Sequence, residues 1–403
     1  MRHVARMRNT IQPYAWGSTT SFGELLGIPN PDRKPQAEIW MGAHPKAPSS
    51  VETDGGWEPL DRLIERHPED ILGRRSAAAF GPGLPFLFKV LAAAEPLSIQ
   101  AHPDAAQAAE GFARENRLGL PPDAPERNYR DPHPKPECLC ALTPFWAMCG
   151  FRRPAESLDL LRRICPAALQ PEIAAFDATP DTGGLRRLFA GLLCLDARRR
   201  REVVAESIAQ ADAAGDERLE WVGRIGRHYP DDIGVLAPAL MNVVRLEPGQ
   251  ALFLPAGVPH SYLLGTGVEL MANSDNVVRG GLTSKHVDVP ELLRVLNFEP
   301  MAPEPVSTRW ANPCEMRYLT PAAEFTLSVL RLNPGEVLHS ADRRGVEVLL
   351  CVAGSAQLAE AGAAGRSLGM ARGASVLVPA SAPAYRLSGP AVLYKAGVPG
   401  DDR

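Results

Sequence analysis

At 403 residues the chain is too long for one ordinary domain, so two or three are expected, with ample length to bury a core. It is 45% apolar and 22% charged, with a net charge of −4 and neither a basic tract nor an acidic tail. That balance excludes a disordered chain and gives no footprint for nucleic acid or for a membrane surface. No stretch reaches the apolar length of a membrane helix. The first residues carry Arg2, His3 and Arg6 but lack the apolar segment of a signal peptide. Seven cysteines, an odd number without framework spacing, point to reduced thiols and a cytoplasmic setting. Lysine is scarce: six, at 34, 46, 89, 135, 285 and 395, which makes each a candidate for a place that needs a compact ammonium, chance being the other reading.

Residues 1–150 hold short apolar runs broken by Pro and Gly and are predicted to be β-rich with some helix. Within them, Phe86–Val90 reads as a buried strand, and the heptad Ser98–Asp104 (SIQAHPD) follows it. Alternation on a strand places Gln100 and His102 on one face, as does the spacing of Ser98 and Gln100. A Gln oxygen beside a His nitrogen can form half of a metal site. Taken alone, the heptad reads rather as a polar strand end with a satisfied histidine, and the metal reading depends on two further ligands elsewhere. Glu137 stands where the Pro-rich loop 133–136 enters a strand, with Cys138 and Cys140 as core residues beyond it. A carboxylate at the mouth of an apolar strand calls for a partner.

Residues 155–235 change character. The segments AESLDLLRR (155–163), GLRRLFAGLL (184–193) and REVVAESIA (201–209) space their apolar residues by three and four, which predicts helices. Pro154, Pro166 and Pro180 mark their starts. The β pattern returns at Val244, a short helix is predicted over Pro290–Leu296, and residues 315–398 form another strand-rich block. The segment Leu246–Tyr262 (LEPGQALFLPAGVPHSY) compares with Met370–Arg386 (MARGASVLVPASAPAYR): a turn, a strand, Pro-Ala, a second Pro, a strand. His260 of the first copy corresponds to Ala384 of the second, so only the first copy can present a ligand there.

Gln100, His102, Glu137 and His260 together make an N/O donor set suited to Zn²⁺, with other divalent ions possible. The loop at Asn273–Asn276 leads into Arg279-Gly-Gly and Lys285, a grouping of cations and flexible backbone that suits a phosphate. A solvated hinge loop is the other reading of that stretch.

Four segments then carry a family resemblance: QAEIWMGAHP (36–45), LSIQAHPD (97–104), KPE (135–137) and SDNVVRGGLTSKH (274–286), joined by YAWG (14–17). Their content and order resemble type I mannose-6-phosphate isomerase over residues 14 to about 298. The resemblance implies a mainly β fold of two cupin-like (jelly-roll) β-barrels plus an α-helical domain. The implied division is a discontinuous catalytic cupin (1–153 and 236–300), a helical insertion (154–235) and a C-terminal cupin-like domain without a metal site (301–403). It implies one zinc held by Gln100, His102, Glu137 and His260. Arg279 is implied as the active-site arginine, and Ser98, Lys135, Glu269 and Lys285 match positions lining a sugar-phosphate pocket. Two departures stand out: His133-Pro134 where the family often has Asn-His, and Ser284 where it usually has Pro.

The implied reaction interconverts mannose 6-phosphate and fructose 6-phosphate by moving a proton between C1 and C2 through an enediol. Arginine accepts protons poorly at its usual pKa, so Arg279 is assigned an electrostatic role, with Lys135 and Glu269 as candidates for proton transfer. A phosphorylated hexose is the expected partner of a chain expected to act as a monomer. Two readings compete: an iron-dependent oxygenase of the same fold, against which Gln100 and the Arg-Gly-Gly…Lys signature argue, and a non-catalytic sugar-binding bicupin.

Overall fold

The computed structural model describes residues 2–164, 166–362 and 365–400. Two antiparallel sheets dominate it, with helices between and around them. The ten-stranded sheet carries the segments singled out above. Its spine is the strand His260–Ala272, whose first half pairs with Phe145–Phe151 and whose second half pairs with Phe86–Ala93 and Glu137–Ala141. Serving both sets requires a bend. The register shifts between Tyr262 and Leu264, and Gly265 follows at φ 124°, where a Cβ would lie 2.7 Å from the Pro144 carbonyl oxygen. Only glycine fits that combination of dihedral and crowding. At the head of the strand, His260 is in register with Gln100 of the short strand Ile99–Ala101, and Gln100 is in register with Arg279 of Val278–Gly281.

Phe86–Ala93 and Glu137–Ala141 are buried at every position, which explains why all but Lys89 and Glu137 are apolar. Cys138 and Cys140 lie in the core as expected, and burial pushes both thiols up. The six described cysteines are free thiols; Cys165 lies outside the described residues.

The predicted helical region is helical: Pro154–Arg163, Gln170–Ala178, Thr182–Leu193, Ala197–Ala214 and Glu220–Gly226. Asp181 and Asp196 cap two of these helices through their side chains. Their apolar faces share one core with sheet residues Ile99, Ala101, Met148, Phe151 and Val278. The helices therefore rest on the residues that flank Gln100 and Arg279. Phe151 stacks on Phe298 at 4.9 Å, with Phe189 edge-on to both. The short helix is Val289–Val295, started by Asp288, whose carboxylate accepts from the Glu291 N–H at 3.1 Å.

The twelve-stranded sheet holds the C-terminal block, but not that block alone. The opening strand Ala5–Arg8 pairs with Ser375–Val378 on one side and Ser50–Thr53 on the other. A boundary drawn at residue 300 is thus crossed by hydrogen bonds from the N-terminus. One apolar cluster spans both sheets, joining Phe88, Val90, Val268 and Leu270 to Phe325, Leu327, Val329 and Leu350. At that junction the Cys140 thiol lies 3.1 Å from the Tyr318 hydroxyl, which in turn donates to the Gly249 carbonyl at 2.8 Å. No described helix is long and apolar enough to cross a membrane.

Candidate metal centre and active site

Three of the four residues proposed as ligands converge. Ligand atoms of His102, Glu137 and His260 lie within 4.8 Å of one another, and all three side chains are buried. Glu137 opens its strand and His260 opens the spine strand, as the sequence predicts, while His102 sits one residue past Ile99–Ala101. The His102 Nδ1–H meets the Asn276 carbonyl at 2.7 Å, and the His260 Nδ1–H meets the Val258 carbonyl at 3.0 Å. A backbone carbonyl can only accept, so each Nδ1 carries the proton and each Nε2 keeps a lone pair. Those Nε2 atoms approach Glu137 at 3.2 and 3.4 Å without making a hydrogen bond. Glu137 Oε2 is likewise buried and unpartnered. Buried polar atoms are normally satisfied. Three orphaned donor atoms, facing one point and with their tautomers set by backbone carbonyls, fit a divalent cation.

The electrostatics agree. Burial and the neighbouring Lys135 push the His102 imidazole down to about 4, so it is neutral at pH 7. Burial opposes the charge of Glu137, yet Lys135 and His102 hold it well below the usual carboxylate range. Lys135 Nζ lies 3.2 Å from Glu137 Oε1.

Beside the triad opens a cavity of about 1090 Å³, lined by Gln100, which is in register with His260, and by Lys135, which pairs with Glu137. Ser98, Arg279 and Lys285 also line it, so five of the residues named from sequence border one space. Arg279 and Lys285 make no ion pair among the described residues. Burial and the nearby Arg130 lower the pKa of Arg279, and burial with Arg279, Arg130 and Lys46 lowers that of Lys285. Cations without ion-pair partners on a cavity wall suit an anionic ligand. The Arg-Gly-Gly turn is built as the sequence suggests: the ladder slips between Arg279 and Gly281, the latter at φ 134°.

Glu269 departs from expectation. It does not line the cavity. Its Oε1 accepts from the Tyr262 hydroxyl at 2.7 Å and its Oε2 lies 3.1 Å from Lys89 Nζ, so both oxygens are committed. Burial raises its pKa. The physical reason is register: Glu269 stands directly across from Lys89, and the longer lysine occupies the cavity wall. The loop at 273–276 is no solvated hinge either, because Ser274 and Asn276 are fully buried.

Further residues border the cavity that the motif reading did not assign to the site. Glu38 and Trp40 line the cavity with Lys89, and Trp40 Nε1 donates to Glu38 Oε2 at 2.6 Å. Arg130 and Lys46 add cations to the wall. The rarity of lysine was the available signal: Lys46, Lys89, Lys135 and Lys285 all line this cavity.

Residues 4–154 match the family model described as phosphomannose isomerase type I, catalytic domain. The mannose-6-phosphate isomerase of Salmonella typhimurium is 43% identical over 357 residues, covering 88% of this chain and 90% of that protein. The chain belongs to the mannose-6-phosphate isomerase family. It is therefore an enzyme of the isomerase class. Mannose-6-phosphate isomerase 1 of Arabidopsis thaliana is 33% identical across 98% of this chain and 94% of its own length. A crystal structure of the Salmonella typhimurium enzyme bound to fructose 6-phosphate and zinc superposes with a TM-score of 0.92 at 39% identity, covering 98% of this chain and 99% of that one.

Proposed function

We propose that the chain interconverts mannose 6-phosphate and fructose 6-phosphate at one zinc held by Gln100, His102, Glu137 and His260. The observation that carries this reading is the set of three orphaned buried donors, His102 Nε2, His260 Nε2 and Glu137 Oε2, beside a cavity lined by Arg279 and Lys285, which make no ion pair among the described residues. Gln100, in register with His260 and open to the cavity, supplies the fourth donor. A bound zinc would stabilise negative charge on the sugar oxygens during enolisation. Arg279 and Lys285, with Arg130 nearby, bind the phosphate and hold the open-chain sugar. Lys135 Nζ, on the cavity wall and 3.2 Å from Glu137, moves the proton between C1 and C2. Glu269 acts through Lys89, fixing that ammonium on the wall, rather than as the base. Arg279 stabilises developing charge and does not exchange protons.

The architecture supported by the two sheets is a catalytic cupin barrel, a helical insertion over residues 154–235 and a C-terminal cupin-like barrel without a metal. The N-terminal strand is shared with the last of these.

The decisive experiment follows mannose 6-phosphate turnover before and after chelation. Turnover is expected to vanish with the zinc and return on its addition; activity surviving complete zinc removal sinks the reading. Solvent exchange of the C2 proton in Lys135→Ala and Arg279→Ala separates their roles. Exchange should be abolished in the first and retained, with weakened phosphate binding, in the second.

A further inference from the structure

We infer that Asn276 is a positioning residue that aligns the metal-facing imidazole of His102 with the cation Arg130. The inference rests on the zinc-dependent reading of the site. Asn276 lies in the loop between His260–Ala272 and Val278–Gly281 and is fully buried. It touches neither the triad's metal-facing atoms nor the cavity, so the proposed chemistry does not use it.

Its bonding is nonetheless saturated. The side-chain Oδ1 accepts from the backbone N–H of Arg130 at 2.7 Å and of Asp131 at 3.2 Å. The Nδ2 donates to the carbonyls of Asp131 at 2.8 Å and His133 at 2.9 Å, and to Asp131 Oδ1 at 3.3 Å. The Asn276 backbone carbonyl accepts from the His102 Nδ1–H at 2.7 Å, the bond that leaves Nε2 free for a metal. Asp131 returns the grip, its carboxylate accepting from the Ser274 hydroxyl at 2.8 Å and the Asp275 N–H at 2.9 Å.

Three segments therefore meet at one residue: the strand end carrying His102, held by the backbone carbonyl, residues 130–133 leading to Lys135 and Glu137, held by the side-chain amide, and its own loop leading to Arg279. An amide is required because the position needs two acceptor sites and two donors. A carboxylate of the same shape would turn an acceptor toward the Asp131 and His133 carbonyls and drive the loops apart.

Asn276→Asp tests this. Zinc affinity, read by competition with a chromogenic chelator, is expected to fall about 10- to 100-fold, as for other residues that orient a metal-bound histidine. KM for mannose 6-phosphate should rise, because Arg130 is displaced. Saturating zinc should restore kcat but leave KM high, a split that simple destabilisation does not produce. A folded variant whose zinc affinity and KM stay within about twofold of the parent overturns the inference, even if its Tm drops. Should Asn276→Asp fail to fold, Asp131→Asn loosens the same loops with Asn276 intact. It must show the same two shifts in smaller measure, and unchanged zinc affinity and KM there overturn the inference equally. A parent protein that neither binds zinc nor turns over mannose 6-phosphate defeats the reading of the site instead. A normal parent with unaltered variants defeats this inference alone.

Discussion

In the ten-stranded sheet Lys89 lies between two carboxylates, 3.1 Å from Glu269 and 3.7 Å from Glu38, and Tyr262 donates to Glu269. In the twelve-stranded sheet Lys395 lies 2.8 Å from Glu315 and 3.4 Å from Glu347, and Tyr385 donates to Glu347 at 2.8 Å. The residue types and their connections are the same. The surroundings differ. Lys89 and Glu38 face a cavity beside the His102–Glu137–His260 triad. In the other sheet Arg344 fills in against Glu347 at 3.6 Å and donates to the Ala382 and Pro383 carbonyls. Where the first copy of the repeated hairpin starts its strand with His260, the second has Ala384. A Glu–Lys–Glu–Tyr quartet with buried carboxylates is thus a way to place charge inside a β-sheet. Only the first of the two adjoins the triad and a cavity.

Four measurements break or sharpen this contrast. Glu137→Gln keeps the shape of the triad but removes its charge. It should abolish metal retention and lower kcat/KM by on the order of 10³-fold or more with the fold intact; metal analysis and the isomerase assay check this. Next, Lys89→Met and Lys395→Met each strand two buried carboxylates, and each should cost about 3–5 kcal/mol in denaturant unfolding. Only Lys89→Met should also remove activity, so an inactive but folded Lys395→Met would erase the functional difference between the sheets.

The third concerns pH. The His102 imidazole titrates near 6.5 when unfolded and about 4 when folded, because burial and Lys135 oppose its protonation. Its neutral form thus stabilises the fold fully above about pH 6.5, and that contribution is lost as pH falls toward 4. The metal-free protein should lose stability across this window in urea titrations, and His102→Asn should flatten the profile. The C-terminal quartet contains no histidine and should contribute no such step. The smallest effects are expected from Tyr262→Phe and Tyr385→Phe, each removing one hydrogen bond worth about 1 kcal/mol. The first should also lower kcat by freeing Glu269; equal kcat in both variants would count against its link to the site.

Much of the site was legible because its residues sit at strand entrances, where Pro-rich turns and alternation leave a readable mark. Glu137 and His260 each open a strand, and polar residues there are conspicuous against apolar runs. Glu269 shows the limit. It occupies a recognisable position, but whether it faces the cavity depends on which residue stands opposite, and Lys89 is 180 residues away. Asn276 is a second case: in sequence it belongs to a polar turn, and only the approach of residues 130–133 shows it to be a buried tie.

By itself, the sequence determined the β-rich ends, the helical middle and the polar residues available for a metal and a phosphate, since these follow from local periodicity and side-chain chemistry. Tertiary structure alone decided which of those residues meet. It also decided that the N-terminal strand joins the C-terminal sheet and that one of two matching quartets opens on a cavity. Pairing between distant strands is set by the burial and hydrogen bonding of the whole chain, and no local pattern encodes it.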